Sequence, residues 1–262
     1  MKEFKDYISK VKKYSPNTVS SYMSALEKFG KIYDYKTATK QDILLYLSSQ
    51  NGNTIKNLTI ASLKLFYKFK MRNGDIQYNP TDTVSYARIQ HKSIIPITPT
   101  EMENIIKPEN FHTKEDYVLF ETLYLTGMRI NELHSLTVND IQQNSIKITG
   151  KGNKQRIIHL EQYAIDNLLS ISKGDKIGSY TYNTLRQKMA YYMKDFKRAN
   201  LTNTTKLSSH SLRHAFASHL HKSGAGILAI KDMLGHSTCK TTQGYTHLDT
   251  DFLKAQHRLM KR

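Results

Sequence analysis

The sequence predicts a mainly α protein in two domains, the second of which carries a small antiparallel sheet. Three observations lead there. At 262 residues the chain has room for two domains of roughly 100–200 residues each. Apolar residues recur at spacings of three and four over most of its length, the period of a helix with one buried face. Between Ser145 and Leu160 the period changes to two around a glycine-rich turn, which is the pattern of a hairpin.

Taken in order, the first third reads as helical. Ser15 is a natural N-cap and Pro16 suits the first helical position; Val19, Tyr22, Leu26 and Phe29 then form one apolar face. Thr39 and Asp42 cap a second helix that carries Ile43, Leu44 and Leu47. A third runs from about Asn53 to Arg72, holding Ile55, Leu58, Ser62, Leu65, Phe66 and Phe69, and Gly74 ends it. Asn79-Pro80 is a breaker. Residues 88–98 have no helical period and contain Pro96, so they are expected to link a domain 1–87 to a domain 99–262. So basic a linker suits a phosphate backbone, and equally a solvated connection.

Beyond the linker, Thr98-Pro99-Thr100-Glu101 opens a new helix. A helix over 114–126 carries Val118, Phe120, Leu123 and Leu125 and stops at Gly127. A short one over 129–136 follows, with Ile130, Leu133 and Leu136 on one side. Ile146 and Ile148 alternate with Ser145, Lys147 and Thr149, and Arg156 to Leu160 forms the second strand. Gly150-Lys151-Gly152-Asn153 between them is turn chemistry. Tyr182, Leu185, Met189, Tyr192 and Phe196 mark a helical face; Leu212, Phe216 and Leu220 mark another, beginning near Ser208 or Ser209 and ending at Gly224. A final helix is expected to hold Phe252, Ala255 and Leu259.

Composition narrows the function. Lys and Arg number 39 against 22 Asp and Glu, a formal charge of +17. Such an excess repels itself unless a polyanion is a regular partner, and nucleic acid is the leading candidate. The lone Cys239 can neither staple the chain nor build a cysteine zinc site. No apolar signal core follows the charged N-terminus, and no run approaches the ~20 apolar residues that span a bilayer. A cytoplasmic protein without a membrane partner is expected.

Four local motifs carry chemistry. They are Thr126-Gly-Met-Arg129-Ile-Asn-Glu132-Leu133; the hairpin tip Gly150-Lys151-Gly152-Asn153-Lys154; His210-Ser-Leu-Arg213-His214; and Leu234-Gly235-His236, followed nine positions after His236 by Tyr245. Two arginines offer forked donors suited to the nonbridging oxygens of a phosphate. Arg129 opens a helix, where free backbone N–H groups also favour anions. His210 and Arg213 share a helical face. A tyrosine hydroxyl, with an ordinary pKa of about 10, becomes a nucleophile once its proton is removed or its phenolate stabilised. No carboxylate cluster suited to magnesium accompanies them, so neither metal nor cofactor is expected. Singly, each residue also has a structural reading. Arg129 can pair with Glu132 at i+3, Lys151 can be one more solvated lysine, and His236 can end a helix. His210 and His214 stand at metal-ligand spacing but lack a clear third ligand, and Tyr245 is one of 17 tyrosines.

Their joint order decides between these readings. Arg, Lys, His-x-x-Arg, His and Tyr in this order and spacing, in the phrases GMRINEL, GKGNKQR, HSLRHAFASHL, LGHS and YTH, closely resemble the tyrosine recombinase (phage integrase) family. The resemblance runs from about Ile97 to the C-terminus; the N-terminal region resembles the family's core-DNA-binding domain more loosely, and the nearest subgroup is the short, Xer-like recombinases. It implies an N-terminal helical, SAM-like core-DNA-binding domain and a mostly α catalytic domain of the DNA breaking-rejoining fold. Tyr245 would attack the scissile phosphate and form a 3′-phosphotyrosyl link. Arg129 and Arg213 would hold the phosphate oxygens, Lys151 would protonate the departing 5′ oxygen, His210 would serve as base and His236 would bond the phosphate. Glu132 would orient His210 or an arginine. The partners implied are a double-stranded recombination site, clamped between the two domains, and a homo-tetramer on two such sites whose tail after Tyr245 packs on a neighbour. An accessory DNA-bending protein is compatible with this. Gly244, where many relatives carry a bulky apolar residue, departs from the pattern and loosens the nucleophile's helix by about 1 kcal/mol relative to Ala. The resemblance leaves open integration or excision of a mobile element and resolution of chromosome or plasmid dimers. A type IB topoisomerase and a catalytically retired DNA-binding accessory protein are the alternatives.

Overall fold

A computed structural model of the chain describes residues 1–89, 95–150, 155–202 and 208–235. The chain divides into two units, Met1–Lys92 and Ser93–Arg262. The expected turn at 151–154 and the expected helix through Phe252, Ala255 and Leu259 lie outside the described residues, as does Gly244.

The first unit holds four α-helices among its described residues: α1 (Lys2–Asp6), α2 (Pro16–Gly30), α3 (Lys40–Ser48) and α4 (Asn53–Arg72). α1 continues into a π-helical turn over Tyr7–Val11, an element that the charges of the N-terminus conceal. Its reason is Phe4 and Ile8, four apart and both fully buried. Phe4 meets Phe66 of α4 edge to face, with centroids 5.2 Å apart. α2 begins where its N-cap lies, with the Ser15 hydroxyl accepting from the Thr18 amide. Thr39 and Asp42 form a reciprocal capping box at α3. Leu26, Phe29, Ile43, Leu63 and Phe66 fill the core between these helices. Ile55, expected within the apolar set of α4, is exposed, because the first turn of that helix projects beyond the core. The chain then returns along α4. The Asn57 side chain donates to Ala87 O and accepts from Ala87 N (2.9 and 2.7 Å), and the Asn53 amide donates to Arg88 O.

The second unit runs α5 (Pro99–Ile105), α6 (Lys114–Thr126), α7 (Ile130–His134), β1 (Ile141–Gln142), β2 (Ser145–Thr149), β3 (Gln155–His159), α8 (Gln162–Ser170), β4 (Ser172–Lys173), β5 (Lys176–Ile177), α9 (Tyr182–Arg198), α10 (Ser209–Lys222) and α11 (Ile227–Leu234). The expected hairpin is present, with β3 one residue earlier than its apolar pattern suggests. It belongs to a three-stranded antiparallel sheet in the order β1-β2-β3, and β4 and β5 form a second small ribbon. The two-residue strands β1, β4 and β5 are too short to leave a period in the sequence.

α6 is the centre of this unit. Val118, Leu119, Phe120, Thr122 and Leu123 are all buried, so the helix is covered on most of its circumference, with α8 and α10 against it. Even its Asp116 is buried, where it accepts from Lys188 Nζ (2.9 Å) and Tyr192 Oη (2.8 Å) of α9. Burial alone would raise that carboxyl, but these donors outweigh it and hold the pKa below the usual carboxylate range. The segment entering the unit is tied down by α10. His219 Nε2 donates to Ile97 O and its Nδ1 accepts from Tyr124 Oη, both at 2.8 Å. Burial holds His219 below its ordinary pKa and so favours the neutral ring this pattern requires.

α6 stops at Gly127, whose φ of 57° is left-handed. A Cβ there would lie 2.5 Å from a Phe216 ring carbon and 2.9 Å from Leu234. Gly127→Ala should therefore cost about 1–2 kcal/mol for the backbone and a further 1–3 kcal/mol for overpacking. Gly174 has the same backbone (φ 58°) with no atom within 4 Å of a Cβ, so Gly174→Ala should show the backbone cost alone. Urea melts of the two variants measure the difference; equal losses would show that the packing around Gly127 gives way freely.

Candidate active site

Gly127 delivers the chain to the site. Two residues on, Arg129 stands at the N-cap of α7, with α6 fixing its backbone from behind. Its side chain is 37% exposed, and Nη1 donates to Glu132 Oε1 at 2.8 Å. The backbone N–H of Arg129 donates to the other oxygen, Oε2, also at 2.8 Å. The sequence suggests that this N–H attracts an external anion; the protein's own Glu132 occupies it instead.

Arg213 comes from α10, whose first turn is capped by Ser208 and Ser211. Its guanidinium is buried. Nη1 donates to Gly127 O at 2.6 Å and Nη2 to Leu234 O at 2.5 Å. These carbonyls lie at the C-terminal ends of α6 and α11, where unsatisfied oxygens concentrate the negative end of each helix dipole. The arginine thus stands where two helices each offer an acceptor. Its carbonyl partner Gly127 is two residues from Arg129, so the geometry brings both arginines of the sequence motif to one turn. His210 lies one helical turn before Arg213, in the first turn of α10, where it is exposed while Arg213 is buried.

Glu132 has a partner that the sequence analysis did not single out. Arg156 Nη2 donates to Glu132 Oε2 at 2.8 Å, and the side chains are 8% and 6% exposed. A signal was present. In β3 the buried Ile158 and Arg156 fall on one face while Ile157 between them is 62% exposed, and an arginine on the inward face of a strand requires a buried acceptor. Burial would raise the Glu132 pKa; the Arg156 and Arg129 donors outweigh it and hold the carboxyl below the usual range. Glu132 therefore stays ionised between two guanidiniums. Lys151, His236 and Tyr245 lie outside the described residues; β2 and β3 bracket the first, and α11 with Gly235 leads to the second.

The sequence profile of the phage integrase family matches residues 96–251, and that of the phage integrase N-terminal SAM-like domain matches residues 1–74. The chain is 28% identical to the tyrosine recombinase XerC of Lacticaseibacillus casei, over 97% of this chain and 95% of the relative. It is 31% identical to XerC of Listeria monocytogenes, again over 97% and 95%. Its fold is shared with a lambda integrase tetramer bound to a Holliday junction, at a TM-score of 0.77 and 16% identity over 95% of this chain and 78% of that one. The chain belongs to the phage integrase family. Its activity is that of a tyrosine-type, Xer-like site-specific DNA recombinase.

The Glu132 arrangement has a pH signature. Its folded pKa is depressed, so its stabilising contribution is complete above the unfolded value of about 4.3 and is lost as the pH falls through the folded pKa. Asp116 shifts the same way and contributes in the same window. Urea melts across that acid range should show stability falling with pH, and Glu132→Gln should flatten the slope without abolishing it. An unchanged slope in the variant would show that Glu132 ionises in the folded protein as it does in the unfolded chain.

Proposed function

We propose that this recombinase cleaves double-stranded DNA by attack of Tyr245 on the scissile phosphate, with Arg129 and Arg213 as its phosphate clamp. The observation that carries the proposal is the joining of the two arginines through Gly127: one donates to its carbonyl and the other follows it by two residues. Donors fixed in place before the substrate arrives stabilise transition-state charge without reorganising. In the attack, the Tyr245 oxygen forms a bond to phosphorus as the bond from phosphorus to the 5′ oxygen breaks. His210 accepts the phenolic proton, Lys151 supplies one to the 5′ oxygen, and His236 bonds the phosphate. The reverse step, with a 5′ hydroxyl from another strand, rejoins DNA without ATP, metal or cofactor.

Domains 1–87 and 99–262, joined by 88–98, would each contact the duplex, drawn to it by the excess positive charge. Exchange would need two sites and four copies of the chain, with or without an accessory DNA-bending protein; the lambda integrase of shared fold is a tetramer on a Holliday junction. The reaction would take place in the cytoplasm. No helix among the described residues is long and apolar enough to cross a membrane.

The decisive experiment can be run while the recombination site is still unidentified. A nicked duplex is selected from a randomised pool by covalent capture on the wild-type protein and run on a denaturing gel. Tyr245→Phe should bind this duplex as well as wild type and form no adduct, because only the nucleophilic oxygen is gone. A normal adduct yield in the variant would remove Tyr245 from the mechanism.

A further inference from the structure

We propose that Arg156 is a positioning residue for strand cleavage: it locks the paired strands β2 and β3, which bracket Lys151 in the sequence, against the Arg129–Glu132 pair. This rests on the reading of Lys151 as proton donor to the leaving 5′ oxygen.

Lys151 precedes Arg156 by five residues in the sequence, between the end of β2 and the start of β3. At about 3.3 Å per residue, the two are separated by no more than about 17 Å of chain. A proton donor on a hairpin tip is useful only if the hairpin's base is fixed relative to the phosphate it serves. β3 pairs with β2 through five residues, from Ser145↔His159 to Thr149↔Gln155. Those ladder bonds fix the strands to each other but do not fix the ribbon to α7. The Arg156–Glu132 bond makes that second connection, between strand and helix, and both side chains are more than nine-tenths buried, so solvent does not compete for it.

The carboxylate is shared in a way that transmits position. Oε2 of Glu132 accepts from Arg156 and from the Arg129 backbone, while Oε1 accepts from the Arg129 side chain. A displacement of β3 therefore pulls on the same carboxylate that aims the Arg129 guanidinium. On its other side Arg156 supports α11. A Cβ at Gly235 (φ 64°) would come within 3.2 Å of Arg156 Nη1, so glycine lets the helix end close over the guanidinium. Leu234, the residue before it, holds Arg213 through its carbonyl. One side chain thus touches the hairpin of Lys151, the partner of Arg129 and the helix end that holds Arg213 and precedes His236. A buried ion pair is weak evidence for stability in itself, since apolar residues of similar size often serve as well; this connectivity is what indicates a role in the reaction.

The test compares two leaving groups on the selected nicked duplex: the ordinary phosphodiester, and a 5′-bridging phosphorothiolate whose thiolate departs with little need of a proton. Arg156→Met should cleave the phosphodiester about 10- to 100-fold more slowly than wild type and lose at least about threefold less on the phosphorothiolate, the remaining loss being the part that passes through Glu132 to Arg129. The ratio of the two rates in one preparation is independent of the fraction of folded protein, so partial destabilisation does not mimic the result. Arg156→Lys, which keeps a cation for Glu132, provides a milder variant if the Met protein fails to fold, and its ratio should lie between the two. Lys151→Ala, run in parallel, separates the inference from the reading beneath it. Equal losses on both substrates with Lys151→Ala would overturn the role of Lys151. Selective rescue of Lys151→Ala without rescue of either Arg156 variant would overturn the positioning role alone, as would Arg156 variants that cleave both substrates at the wild-type rate.

Discussion

A buried carboxylate between two guanidiniums is the arrangement on which the rest of this site depends. Two cations brought to one place repel each other, increasingly so as water is excluded. Glu132 makes the pairing tolerable by accepting from Arg129 on one oxygen and Arg156 on the other. Removing Glu132 and Arg156 from water is costly, and the cost is offset only when their hydrogen bonds are well made. That requirement acts as a constraint on geometry. The carboxylate cannot turn without losing a partner, so Arg129 is held in one orientation, with part of its side chain still exposed. One carboxylate against two arginines also leaves a net positive charge.

The backbone meets the same constraint by other means. Arg213 rests on two helix-terminal carbonyls, from Gly127 and Leu234. Carbonyl dipoles orient a guanidinium without cancelling its charge, as a carboxylate would. For this to work, two helix ends must converge, and both are left-handed glycines, Gly127 and Gly235. At each, side-chain atoms stand where a Cβ would go: Phe216 and Leu234 at Gly127, Arg156 at Gly235. Packing around α6 therefore decides where the Arg213 guanidinium points, and a fold-determining glycine and a buried arginine become parts of one feature.

Much of this was legible in the sequence because its signals are local. Ser15-Pro16, Thr39 with Asp42, and Thr98 with Glu101 each announce a helix start within four residues, and each helix begins there. Gly127 stops α6 at its expected residue. Arg129, His210 and Arg213 stand out because their motifs are contiguous. Arg156 did not, because its partner is 24 residues away and its importance appears only when β3 lies against α7. The inward-facing register of Arg156 with Ile158 carried the information, but the alternation Arg-Ile-Ile-His has apolar residues on both faces and hides which face is buried. α1 was concealed for a related reason: two apolar residues, Phe4 and Ile8, among many charges suffice for a helix that packs on α4, yet give too little pattern to predict one. Ile55 erred in the other direction, since an apolar residue in helical phase does not show where along the helix the core ends.

A recombinase needs two kinds of positive charge, and this chain keeps them separate. The surplus of 17 charges acts at long range, is screened by salt and carries no geometric demand. The arginines of the site act at contact distance, where an error of an ångström matters. Surface lysines can supply the first kind almost anywhere, held by flexible stems. The second kind must be built into the core, where Asp116 and Lys188 fix α9 to α6, α6 fixes Gly127, and Glu132 fixes the two arginines beyond it. Changes to the surface surplus should therefore alter how readily DNA is met, while changes to this interior chain of contacts alter what happens once it is held.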